Sequence, residues 1–112
     1  MIDAKNIAEI ILAYQKYGWV LRRVLLTAAL RKKLSADTSQ MFDGVQVKDA
    51  DIDAAWFSRP PKEDGVAWEI RHLSESPYAL LENIDEDADG FEAALSSVES
   101  RLRESVSKSK SA

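Results

Sequence analysis

Cysteine is absent from the 112 residues, and histidine occurs once, as His72. Without cysteine there are no disulfides, no thiolate metal sites and no cysteine nucleophile. A lone histidine, with no serine in an elbow-type turn, gives no support to a catalytic triad or a His-based metal centre. Long apolar runs are missing as well. The most apolar stretch, Trp19 to Leu30, is broken by Arg22 and Arg23, and its longest uncharged run is Val24 to Leu30. A membrane span needs about 20 predominantly apolar residues. An export signal is not expected either, because Asp3 and Glu9 stand where its basic region would be and no small-residue cleavage site follows. The simplest compartment for such a chain is a reducing cytoplasm.

An excess of positive charge is also lacking. Fifteen Lys and Arg against nineteen Asp and Glu leave a net charge of −4 and a pI near 5.0. Domains that bind nucleic acid are typically basic, so nucleic acid is not an expected partner. The charge is unevenly spread: residues 1–34 sum to +5 and residues 35–112 to −9. The plain expectation is that the two parts meet in the fold and offset each other. A polarised surface that steers a charged partner is the sharper alternative.

What is present is the mix of an ordinary globular domain, 46% apolar and 30% charged. A chain of this length makes one domain around one core. Residues 3–17 predict a helix. Asp3 can cap it, Ile7, Ile10, Ile11, Tyr14 and Tyr17 recur at three-and-four spacing, and Gly18 suits the left-handed residue that closes a last turn. Residues 19–27 are rich in β-branched and large apolar groups and predict a strand, with a second helix over 20–34 as the competitor. Ala28 to Leu34 reads as a short helical turn carrying basic residues. Ser35 to Lys48 reads as a loop ending in an extended piece at Val45–Val47.

The clearest pattern is a hairpin. Ile52 to Arg59 and Val66 to Leu73 alternate in the period of a strand, and Pro60, Pro61 and Asp64-Gly65 supply the turn between them. Ser74 to Pro77 is another turn and Tyr78 to Ile84 a further strand. Asp89 opens a last helix over Gly90 to Val106, and Ser107 to Ala112 has nothing to bury and is expected to be disordered. The order α-β-β-β-β-α predicts a two-layer α+β domain over residues 1–106. Its antiparallel sheet would have about four strands, with the N-terminal and C-terminal helices packed on one face.

Several motifs have plainer explanations than the chemistry they suggest. Asp85-Glu86-Asp87-Ala88-Asp89-Gly90 begins like a calcium loop, whose first, third and fifth oxygens converge on a hard cation. The bidentate acid at position twelve would fall on Ser96, however, and Glu92 takes position eight, where an apolar residue belongs. An acidic cap is simpler, with Asp89 and Glu92 as a capping box. Asp49, Asp51 and Asp53 share one face of an extended chain, and they guard an edge strand more simply than they bind a divalent ion. No metal, cofactor or catalytic residue is assigned. His72 falls in phase with Val66, Trp68 and Ile70 and reads as a residue bordering the core. Arg22, Arg23, Arg31, Lys32 and Lys33, with Trp19 as a stacking surface, form a possible basic patch, although Arg22 and Arg23 point to opposite faces of a regular strand. Trp56 and Trp68 have like phase and predict a cross-strand pair.

One expectation bears on function. Two helices cover one face of a four-stranded sheet, so Phe57, Leu73 and Leu81 on the other phase, with Trp19, are left as a possible interface. The sequence therefore reads as a small, non-catalytic, cytoplasmic protein–protein interaction or regulatory domain, homodimeric through the uncovered sheet face. A chaperone-like or adaptor domain binding a partner peptide is the alternative. A third reading is a small-molecule-binding domain or enzyme whose pocket draws on Glu69, Arg71, His72 or Tyr78.

Overall fold

A computed structural model describes residues 2–34, 41–62, 65–74, 78–85 and 89–111. Helix α1 spans Ala4–Lys16, and its first turn is closed by a reciprocal pair. The Asn6 amide donates to Asp3 Oδ1 at 2.9 Å, and the Asp3 amide donates to Asn6 Oδ1 at 3.4 Å. Gly18, at φ +89°, lets the chain reverse, and the Trp19 amide donates back to the Tyr14 carbonyl at 3.1 Å. Strand β1 follows over Val20–Leu26, and helix α2 over Ala28–Leu34. Strand then helix is the outcome over residues 19–34. Thr27 separates the two elements, its Oγ1 accepting the Leu30 amide at 3.2 Å.

Strands β2 (Gln46–Asp49), β3 (Ala54–Lys62), β4 (Gly65–His72) and β5 (Ala79–Ile84) follow, and helix α3 (Phe91–Ser111) ends the chain. The fold is α+β, as its pattern predicts, with five strands rather than four in the order β2-β1-β3-β4-β5. The added strand is the extended piece predicted at Val45–Val47. It pairs parallel to β1, from Arg23↔Gln46 to Leu26↔Asp49, which departs from a simple meander. The chain between β1 and β2 passes through α2, and a connection of that length permits parallel pairing where a tight turn cannot. The predicted hairpin stands as β3 and β4, with Trp56 opposite Ile70 and Phe57 opposite Glu69. Glu63 and Asp64 of its turn, residues 75–77 of the next, and residues 35–40 lie outside the described residues.

The placement of the helices corrects the sequence reading. α1 and α2 cover one face, where Ile7, Ile11, Leu30 and Leu34 pack with Val24, Leu26, Ala55 and Phe57. α3 covers the opposite face, where Leu95, Val98 and Leu102 pack with Leu25, Trp56, Trp68 and Ile70. The terminal helices are therefore on opposite faces. The strands are apolar on both phases because each phase has its own core. Helix α3 also continues to Ser111, where a disordered segment was predicted from Ser107. No helix among the described residues is long and apolar enough to cross a membrane.

β1 has one irregularity with consequences. Leu21 pairs with Phe57 and Arg23 with Trp56, so Arg22 is an extra residue, a bulge. Both arginines consequently reach the α3 face, against the expectation that they diverge. The Arg22 guanidinium lies 4.9 Å from the Trp68 ring and donates to Ser58 Oγ at 3.1 Å. Arg23 donates to both carboxylate oxygens of Glu92 on α3, at 3.0 and 2.7 Å.

Candidate interaction surface

Two rows of paired residues crossing the sheet on the α1 side show where its cover ends. The first runs Leu21–Phe57–Glu69–Leu81, the second Val24–Ala55–Arg71–Ala79. Phe57 and Ala55 are buried, Glu69 and Arg71 are half-buried, and Leu81 and Ala79 are exposed, Leu81 by 60%. α1 therefore shelters β1 and β3 and stops at β4. The ring of Tyr14 marks the boundary. It stacks on Phe57 at 4.0 Å, and its hydroxyl donates to the Glu69 carboxylate. Burial and the Glu69 carboxylate together push the Tyr14 hydroxyl well above the ordinary phenol range.

Two hollows lie along this flank of α1. One, of about 480 Å³, is lined by Ala13, Tyr14, Tyr17, Trp19, Arg59 and Glu69. The other, of about 420 Å³, is lined by Ile2, Asn6, Glu9, Ile10, Ala13, Arg71 and Ser74, and shares Ala13 with the first. Trp19 forms one wall, edge-on to Tyr14 at 6.1 Å and with the Arg59 guanidinium 5.2 Å from its ring. Tyr17, 66% exposed, stands at the rim. The 480 Å³ hollow is thus an open, largely aromatic groove with one cation and one anion on its walls, and such a surface suits a docked side chain or segment.

Of the four residues predicted as an interface, Phe57 and Leu73 are buried beneath α1, Trp19 is half-buried in the groove wall, and Leu81 alone stands open. The far face of the sheet is not free as a whole; only its β4–β5 part is. The basic patch is dispersed. Arg22 and Arg23 serve the α3 face, Arg31 pairs with Asp49 at 2.9 Å, and Lys32 and Lys33 are exposed on α2. The three aspartates also part: Asp49 to Arg31, Asp51 to Arg103 at 2.6 Å, and Asp53 to the Thr27 amide at 2.7 Å.

His72 lines a third hollow, of about 310 Å³, with Thr27, Asp51, Asp53 and Arg103 on the α3 side. Glu69, Arg71 and His72 thus line three separate hollows rather than one pocket. Among the described residues no group of His, Asp and Glu could hold a metal ion. Glu86, Asp87 and Ala88 of the calcium-like segment lie outside them. Glu92, read as half of a capping box with Asp89, gives its carboxylate to Arg23 instead. Trp56 and Trp68 do meet, edge to face at 6.1 Å.

No protein-family model, curated protein or solved structure matches the chain. Sequence reading missed Tyr17 and Arg59 as surface residues. The available signal was angular: Tyr17 lies off the buried Ile7–Ile11 stripe of α1, and Arg59 shares the phase of Phe57.

Proposed function

We propose that the chain is a small, non-catalytic protein–protein interaction domain, homodimeric through the part of the sheet that α1 leaves open. One observation carries the reading: along the Leu21–Phe57–Glu69–Leu81 row, burial is lost before the sheet ends, leaving an apolar side chain at its margin. A contiguous exposed apolar patch beside a shaped groove is a mark of an association surface. The proposal places the protein in the cytoplasm. Light scattering should return about twice the 12.5 kDa of one chain, and a single-chain mass at high concentration overturns the reading.

A second reading, an adaptor that seats an apolar or aromatic side chain of another protein, is favoured by the three rings lining the 480 Å³ hollow. A partner retained by the wild type and lost on Tyr17→Asp, with the mass of the free protein unchanged, would select it.

A further inference from the structure

Strand β5 ends the sheet. Its inner edge is laddered to β4 without interruption, from Val66↔Ile84 to Arg71↔Ala79, and among the described residues no strand lies beyond it. Edge strands are ordinarily guarded by shortness, bulges, prolines, several charged side chains or a covering helix or loop. The residues of β5, Ala-Leu-Leu-Glu-Asn-Ile, include no proline and one charge, and that charge, Glu82, is bonded to Arg101 of α3. The opposite edge is guarded: β2 is four residues long and carries Lys48 and Asp49.

We infer that two copies pair β5 with β5, antiparallel, about a two-fold axis through Leu81, which joins two five-stranded sheets into one of ten strands. The inference rests on the proposed self-association and names its route. Opposed residues of an antiparallel pair face the same side, so the axis must fall on a residue rather than between two. Leu81 and Glu82 are the two central positions of β5 and give the longest overlap. An axis on Glu82 would set two carboxylates against each other, which is destabilising. An axis on Leu81 sets Leu81 against Leu81 and Leu80 against Glu82, with no like charges opposed. The exposed apolar side chain of β5 then packs side by side with its own copy. The open parts of the two sheets become one trough floored by β4 and β5 of each copy, about 14 Å between its outer strands. A helix α1 walls it on each side.

The absence of native cysteine makes the test clean. Directly opposed side chains have Cβ atoms about 4.5–5.5 Å apart, within a small adjustment of disulfide reach. Leu81→Cys should oxidise to a covalent dimer, whereas Leu12→Cys, equally exposed on α1, should stay a single chain under the same oxidant. Leu81→Arg should reduce the wild-type mass to that of one chain while the circular dichroism of the folded chain is retained, and its melting temperature should no longer rise with protein concentration. A double mass without Leu81→Cys cross-linking, or one that survives Leu81→Arg, overturns this route and leaves the self-association reading standing. A wild type that is a single chain at all concentrations removes both.

Discussion

The two faces of the sheet are closed by different means. Across the α3 face, apolar packing is framed by polar links: Arg23 to Glu92, Trp56 Nε1 to Glu99 at 2.8 Å, Arg101 to Glu82 and Arg103 to Asp51. They lie along the length of the helix and fix its position over the strands. On the other face, α1 is held mainly by Ile7, Ile11 and the Tyr14–Phe57 stack, with Tyr14–Glu69 as a polar link to the sheet. The framed face is covered except at Val20, which is 52% exposed; the lightly framed one stops short and leaves a groove. The α1 side is therefore the one on which the β4–β5 part of the sheet stays open.

Leu102→Ala should break the closed face most severely. Leu102 is fully buried between α3 and the sheet, and its truncation should cost about 2–5 kcal/mol in urea unfolding. Tyr14→Phe probes the lighter face. It keeps the stack and removes the Glu69 hydrogen bond, at a cost of about 1 kcal/mol at neutral pH. Because folding raises the Tyr14 value, this contribution is full below about pH 10 and is lost as pH rises through the folded value. The gap between wild type and Tyr14→Phe should therefore narrow in strong alkali. The smallest effect belongs to Glu92→Gln. Arg23 holds the Glu92 carboxyl below the ordinary glutamate value, so its contribution is present above that value and lost as pH falls through the folded one. Glu92 is largely exposed, and solvent screening keeps the difference within about 1 kcal/mol. Salt titration should shrink it further.

Local patterns were legible in the sequence. Asp3 and Gly18 bound α1 as their chemistry requires, and the alternation about the Pro60–Gly65 turn announced β3 and β4. Less visible was which core each phase enters. Periodicity says that Phe57 and Trp56 point apart, but not that α1 waits on one side and α3 on the other. β2 was legible as an extended piece but not as a member of the sheet, because Gln46 and Lys48 give a four-residue strand the polarity of a loop. For the candidate surface, the need of Phe57 and Leu73 for cover was legible and is met within the chain. The exposure of Leu81 depends on where α1 ends across the sheet, which is a tertiary distance rather than a pattern.

The extra residue in β1 also bears on how this protein tolerates changes in length. Before it, Val20 and Leu21 take the α3 and α1 sides; after it, Val24 and Leu26 take the α1 side and Leu25 the α3 side. With either Arg22 or Arg23 deleted, strict alternation would deliver each of these five side chains to the side it already occupies. The strand can therefore shed one residue at this point without misdirecting an apolar group, a freedom that its regular stretches do not have.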